Sequence, residues 1–81
     1  MKIEIFIANF AAQLEETDAS IITAETKFRE LDEWDSLMAL YIIAMVDEEY
    51  GVKIKGDDMR NSICIKDLYE IVKARFKTTL V

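Results

Sequence analysis

The sequence predicts an all-α fold: a small four-helix bundle of three main helices and one short helix, with a long connection between the first and second helices. Apolar residues recur at helical spacing in three segments. The 81 residues include no proline and only two glycines, and 52% are hydrophobic and 32% charged. This composition is typical of a compact helical domain. The length predicts one domain over residues 1–81, because two cores need a longer chain.

The first helix is predicted over about residues 2–16. Its apolar residues share one face, and they are Ile3, Phe6, Ile7, Phe10 and Leu14. Because Glu4 interrupts the first apolar residues and no small-residue cleavage site follows, we interpret this segment as part of the fold and not as a signal peptide. A connection over roughly residues 17–35 follows, and we expect Phe28 and Leu31 to fix it to the core.

The second helix should begin at Asp35 or Ser36 and run to Tyr50, since Gly51 is a typical residue after a helix end. It opens with ten consecutive apolar residues, 37–46. A domain this small cannot bury such a helix on all sides, so part of its apolar surface should face solvent or a partner.

The acidic residues 47–49 are used to predict which face of this helix is buried. The face opposite them is assigned to the core, and it carries Ala39, Ile42, Ile43, Val46 and Tyr50. The predicted docking surface for partners consists of Leu37, Met38, Tyr41 and Met45 with Glu48, and Ala44 lies beside it. Methionine suits such a surface because its side chain is flexible and polarisable. The alternative is that this apolar patch packs under the 17–35 connection.

A short helix and a last helix complete the prediction. Asp57 and Asp58 are expected to cap a short helix that contains Met59. The last helix is predicted over about residues 65–76, with its core face formed by Ile65, Leu68, Ile71, Val72 and Phe76. Cys64, just before it, is a poor cap and is expected to be a small buried side chain, the alternative being a semi-exposed thiol.

Charge and residue content exclude several classes of function. A net charge of −6 with a pI near 4.5 makes nucleic acid and anionic membrane surfaces poor partners and basic protein surfaces good ones. No apolar run is long enough for membrane insertion. The absence of histidine excludes histidine-based catalysis and histidine-containing metal sites, and we expect no specific metal site among the acidic residues. A single cysteine excludes an internal disulfide and fits a cytoplasmic location.

The tripeptide Asp35-Ser36-Leu37 carries the most functional information. Taken alone, it predicts only a capped helix start. Its surroundings are more specific, and they comprise Phe28-x-x-Leu31, Trp34, Asp47-Glu48-Glu49-Tyr50-Gly51-Val52, Ile54 and Ile65-x-x-Leu68. Across essentially its whole length, the chain resembles a stand-alone acyl carrier protein.

This resemblance implies a function and a cofactor. A phosphopantetheinyl transferase would use coenzyme A and Mg²⁺ to attach a 4′-phosphopantetheine arm covalently to Ser36, and the thiol of the arm would carry acyl groups as thioesters. Asp35 would help to position metal or transferase, and Leu37 completes the modification motif. The expected partners are acyl-loading and modifying enzymes and acyltransferases or synthases, which dock on the helix after Ser36. The carrier itself would be a monomer without catalytic activity.

The chain departs from the family pattern at two places, the stretch Glu33-Trp34 and the positions Met38 and Tyr41. Glu33 stands where the family commonly has glycine, which is expected to stiffen the approach to Ser36. Trp34 is either a core residue or an anchor for a partner. Met38 and Tyr41 replace the acidic residues of fatty acid carriers, so docking should depend more on apolar contact. A dedicated partner set, for a secondary metabolite or a modified glycan, is therefore favoured over primary fatty acid synthesis.

Three alternatives remain open from the sequence. A carrier of D-alanyl groups is also small, acidic and free-standing. A peptidyl carrier shares the fold and the serine, but usually has a Gly-Gly-x-Ser-like motif that Trp34-Asp35-Ser36 does not match. An unmodified helical adaptor would use the apolar surface without any arm.

Overall fold

The computed structural model describes residues 2–79, with side chains for residues 2–76. The described part contains four helices, α1 (Ile3–Ala11), α2 (Ser36–Tyr50), α3 (Gly56–Arg60) and α4 (Ile65–Thr79), and no β-strand. The predicted all-α class, with three main helices, a short one and a long first connection, is confirmed. None of these described helices is both long and apolar enough to cross a bilayer.

The first helix is shorter than predicted, because α1 ends at Ala11 and not near residue 16. The backbone then turns, and the Leu14 N–H donates to the Ala11 carbonyl at 3.0 Å. The next N–H groups, those of residues 15–17, bind the carboxylate of Glu33. These donors are directed to a side chain far along the chain, so the backbone does not continue as a helix.

The connection between α1 and α2 contains two short 3₁₀ turns, Ala19–Ile21 and Phe28–Glu30. Phe28 is fully buried and Leu31 is partly buried against the same core, so the prediction that these residues fix the connection is confirmed. Burial of a phenylalanine side chain is worth about 1.5–3 kcal/mol, which helps to offset the entropy of ordering this long segment.

The connection also supports the start of α4. The Thr26 carbonyl accepts the Ile65 N–H at 3.1 Å, and the Ala24 carbonyl accepts the Lys66 N–H at 2.9 Å. The first N–H groups of a helix have no acceptor within the helix, so these bonds pair donors that would otherwise lack a partner in the protein.

The ends of α2 agree with the prediction. The Asp35 carboxylate accepts the Met38 N–H at 2.8 Å, which is the N-cap bond that aspartate commonly forms. At the other end, Gly51 has φ +65°, the left-handed conformation that favours glycine after a helix. The helix therefore begins at Ser36 and ends at Tyr50.

The start of α3 differs from the prediction. Asp57 and Asp58 lie in its first turn and Lys55 precedes it, so neither aspartate is the N-cap residue. Asp58 instead accepts the Lys55 N–H at 2.8 Å, which satisfies a donor at the helix start from inside the first turn. Met59 is buried, and the short helix contains it as predicted.

The start of α4 depends on Asp67 and not on Cys64. The Asp67 carboxylate accepts the N–H groups of Ile63 at 3.0 Å and Cys64 at 3.3 Å. These bonds, the one from Ile63 foremost, hold the pKa of Asp67 below its ordinary value. Cys64 has a free thiol and is half-buried, so the expectation of a buried side chain is only partly met. The helix extends to Thr79, three residues past the predicted end.

The core lies where α1, α2, α4 and the connection meet. Its fully buried residues include Phe6, Phe10, Phe28, Ile42, Val46, Ile65, Leu68 and Val72. All of the predicted core residues of α1 and α4 are buried or packed against this cluster. Among the described side chains, no buried nitrogen or oxygen lacks a hydrogen-bond partner.

An ion pair joins α3 to α4. Arg75 Nη1 and Nη2 donate to the two carboxylate oxygens of Asp58 at 2.7 and 2.8 Å, and the Asp58 side chain is only 14% exposed. The bonds from Arg75 hold the pKa of Asp58 below its ordinary value, which is about 4. Because folding lowers this pKa, the stabilisation is complete above about pH 4 and is lost as the pH falls through the lowered pKa.

We therefore expect Asp58→Asn to lower the free energy of unfolding by about 1–2 kcal/mol at neutral pH and by progressively less as the solution is acidified below about pH 4. Urea unfolding of both proteins across this range measures the difference. Asp57→Asn is the matched control, because Asp57 pairs with Arg60 at an exposed position where 78% of its side chain is accessible. An equal loss for Asp58→Asn at all pH values would show that charge at Asp58 does not matter.

Candidate functional site

The side chain of Ser36 is exposed at the first position of α2. Asp35 is extended (φ −153°, ψ −174°) and uses its side chain to cap the Met38 N–H. The N–H groups of Ser36 and Leu37 have no acceptor within the part of the chain that the structure describes. Free N–H groups and the positive end of the helix dipole favour an anionic group at this position.

Glu33 anchors the approach to Ser36. Its carboxylate accepts the Thr17 hydroxyl at 2.6 Å and the N–H groups of Thr17 at 2.8 Å and Glu15 at 3.1 Å, and also the N–H of Glu16 at 3.3 Å. The Thr17 hydroxyl is the main reason that the pKa of Glu33 lies below its ordinary value. The residue that stands where glycine is common thus ties the segment before α2 to the end of α1.

Trp34 belongs to the core side of the site. Its ring stacks nearly parallel to Phe10, with ring centroids 6.3 Å apart and planes inclined by 7°, and it meets the edge of Phe28 at 5.0 Å. The side chain is half-buried, so Trp34 is a packing residue of the core. Glu33 and Trp34 together fix the backbone immediately before Asp35 and Ser36.

The exposed face of α2 differs from the prediction. Leu37 is 53% exposed and Tyr41 is 46% exposed, and Glu48 is also exposed, as the docking prediction requires. Met38 and Met45 are only 6% and 4% exposed, so the expectation that these two methionines form an outer surface was wrong. The predicted docking surface also left out Leu40, which is 60% exposed beside Leu37 and Tyr41.

The error has a simple cause in helix geometry. Glu49 lies on the same stripe of α2 as Met38, Ile42 and Met45, at spacings of four, three and four residues. Glu49 is nevertheless exposed, because it lies in the last turn, where α2 reaches the solvent. Acidic residues at the helix end therefore led the prediction to leave Met38 and Met45 out of the core. The residues that were assigned to the core are all buried or packed against it, and they are Ala39, Ile42, Ile43, Val46 and Tyr50. The structure assigns the stripe of Met38, Ile42 and Met45 to the core.

A groove of about 460 Å³ lies on one side of Ser36, next to the connection. Its apolar lining comes from Trp34, Leu37, Met38 and Tyr41. The rest of its lining is acidic, and consists of Glu15, Glu16, Asp32, Glu33 and Asp35. This side of the site is suited to a partner that presents apolar and basic side chains.

A second cleft, of about 320 Å³, lies on the other side of Ser36, between α2 and α3. Ser36 itself lines this cleft together with Ala39 and Met59. Two basic side chains, Arg29 and Arg60, complete the same cleft. Within residues 2–76, no group of three or more acidic or cysteine side chains is arranged to hold a metal ion.

These features fit a phosphate ester on Ser36. The hydroxyl is accessible, the neighbouring N–H groups are free, and open clefts lie on both sides. No side chain that could activate Ser36 as an enzymatic nucleophile is bonded to it among the described residues. The site is therefore suited to accept a group from another protein's active site.

Comparison with known proteins agrees with this geometry. The family model described as the phosphopantetheine attachment site matches residues 6–72. The chain is 30% identical over 74 residues to the acyl carrier proteins of Rickettsia canadensis (strain McKiel) and Rickettsia rickettsii (strain Iowa), and these alignments cover 91% of this chain and 86% of each relative. No solved structure matches the chain significantly. The resemblance drawn from the sequence is confirmed.

Proposed function

The chain belongs to the phosphopantetheine-attachment family of acyl carrier proteins, and we propose that Ser36 is the residue that receives the arm. The observation that carries this proposal is an exposed serine at the first position of a capped helix, inside the segment that the family model matches. The other two serines are placed differently: Ser20 lies in a 3₁₀ turn of the connection, and Ser62 is fully buried.

Acyl carriers are not enzymes, and the reactive group is the thiol of the covalent 4′-phosphopantetheine. In the proposed modification, the Ser36 hydroxyl oxygen bonds to the β-phosphorus of coenzyme A and loses its proton. The bond between the two phosphates breaks, and adenosine 3′,5′-bisphosphate leaves. The transferase and its Mg²⁺ catalyse this exchange. Ser36 contributes an accessible oxygen, and the free N–H groups of α2 favour the anionic ester that results.

Partner enzymes are proposed to dock on the exposed face of α2, over Leu37, Leu40 and Tyr41 and toward Glu48. These three apolar side chains are about half exposed or more, which is unusual for adjacent large apolar residues on one helix of a small domain. The proposed partners are the transferase and acyl-loading, modifying and acyl-transferring enzymes. The acidic groove beside Tyr41 favours partners whose docking surface is basic.

The test is modification of the apo-protein by coenzyme A, Mg²⁺ and a promiscuous phosphopantetheinyl transferase, followed by measurement of the intact mass. We expect the wild type to gain one phosphopantetheine and Ser36→Ala to gain none. Ser20→Ala is the matched control, because it removes an exposed serine that also follows an aspartate closely, and it should be modified fully.

Two results would contradict the proposal. Modification of Ser36→Ala would place the arm on another residue. No modification of a folded wild type, under conditions in which a known carrier is modified, would favour the unmodified adaptor.

A further inference from the structure

The surfaces on the two sides of Ser36 differ in charge. The groove on the side of the connection is lined by five acidic side chains and no basic one. The cleft between α2 and α3 has two arginines in its lining and only Asp35 as an acidic residue. The Asp35 carboxylate is already engaged by the Met38 N–H. An anion attached to Ser36 is therefore repelled on the side of the groove. On the side of the cleft it is attracted most strongly by Arg29, since Arg60 is already paired with Asp57.

The guanidinium of Arg29 is held in place by the backbone. Its Nε and Nη2 donate to the Ser62 carbonyl at 3.2 and 3.0 Å, which joins the connection to the segment after α3. Its Nη1 has no acceptor among the described residues. Arg29 therefore presents a fixed positive charge with unused donors to the cleft that Ser36 lines.

The guanidinium of Arg60 lies near the start of α3. It pairs with Asp57, and its Nη1 lies 3.4 Å from the point where a Cβ on Gly56 would be. The guanidinium therefore lies close to the start of α3, where Gly56 and Arg60 both line the cleft. Two arginines from different parts of the chain thus meet at one cleft beside the attachment serine.

We propose that Arg29 and Arg60 bind the phosphodiester on Ser36 and so direct the arm toward the cleft between α2 and α3, away from the acidic groove. This rests on the proposed attachment at Ser36. Guanidinium groups are the best side-chain partners for phosphate oxygens, because they offer several N–H donors in a planar array. In a chain with net charge −6, this pair supplies the positive charge that the α2 surface lacks.

The proposal makes Arg29 and Arg60 positioning residues for the arm. An arm directed to one side of Ser36 leaves the exposed face of α2 free for docking. It also places the negative charge of the phosphodiester between Arg29 of the connection and Arg60 of α3. Attachment of the arm should therefore change the environment of both guanidinium groups.

The sequence supplies an internal control, because it contains three arginines and the third is engaged elsewhere. Arg75 binds Asp58 through both terminal nitrogens. In ¹H–¹⁵N spectra of the labelled protein, the Nε–Hε signals are assigned with Arg29→Gln, Arg60→Gln and Arg75→Gln. We expect the signals of Arg29 and Arg60 to shift when apo-protein is converted to holo-protein, and that of Arg75 to stay in place.

A second measurement, the ³¹P spectrum of the holo-protein, reports on the same contact through the phosphate of the arm. The ³¹P signal of the holo-protein should move in Arg29→Gln and Arg60→Gln and should not move in Arg75→Gln. A holo-protein of the expected mass in which neither the Arg29 and Arg60 signals nor the ³¹P signal responds would overturn the proposal and leave attachment at Ser36 intact. Failure of wild-type modification would overturn both proposals.

Discussion

Phe28→Ala should lower the free energy of unfolding by about 3–5 kcal/mol, the usual cost of truncating a fully buried phenylalanine. Phe28 is 0% exposed and its ring centroid lies 5.4 Å from that of Phe10 and 5.0 Å from that of Trp34. The substitution leaves a cavity at the centre of this aromatic cluster. It also releases the connection, because Phe28 is its most deeply buried aromatic residue.

The expected loss is large relative to the stability of the whole domain. A chain of this length is stable by roughly 4–12 kcal/mol, so Phe28→Ala should unfold at a much lower urea concentration and be partly unfolded at physiological temperature. Ile21→Ala is the control, since Ile21 lies in the same connection and is 62% exposed. Its stability should change by no more than about 0.5 kcal/mol. Equal urea midpoints for the two variants would show that the connection is not held by Phe28.

Whether the end of a helix could be predicted depends on whether the residues that determine it are close to it in the sequence. The ends of α2 were predicted correctly because both depend on local residues, the cap at Asp35 and the left-handed Gly51. The end of α1 was not, because residues 15–17, which were predicted to be helical, instead donate their N–H groups to the carboxylate of Glu33, 16 to 18 residues away. No local pattern records such a contact.

The same distinction applies to the site. Ser36 was predicted from the resemblance of its motif to the family, and the structure places it at an exposed helix start. The cleft arginines were not singled out, because Arg29 and Arg60 are far apart in sequence and line one cleft only in the folded chain, where Arg29 binds the segment after α3. A basic residue is easily read as a solvated surface charge. Only the residues that surround it in the folded chain indicate that it could bind a ligand.

Met38→Glu should destabilise the protein far more than Tyr41→Glu, although the two residues are one turn apart on α2. Met38 is 6% exposed, so the glutamate loses the buried methionine contacts and places an unpaired charge in the core. We expect a loss of at least about 3 kcal/mol in the free energy of unfolding, since truncation of a buried methionine alone costs roughly 2–5 kcal/mol. Tyr41 is 46% exposed, and Tyr41→Glu should change stability by less than about 1 kcal/mol.

Tyr41→Glu can therefore test docking without unfolding the carrier, whereas Met38→Glu cannot. If the transferase contacts the exposed apolar face of α2, Tyr41→Glu should raise the KM for modification at least about fivefold and change kcat little, because an interface residue that contributes more than about 1 kcal/mol has been replaced. Ile63→Glu is the matched control, because Ile63 is an exposed apolar residue between α3 and α4. The KM for modification of this variant should stay at the wild-type value. An unchanged KM for Tyr41→Glu would exclude Tyr41 from the docking surface of the transferase. A parallel rise for Ile63→Glu would mean that the higher KM of Tyr41→Glu does not come from loss of an apolar contact at Tyr41.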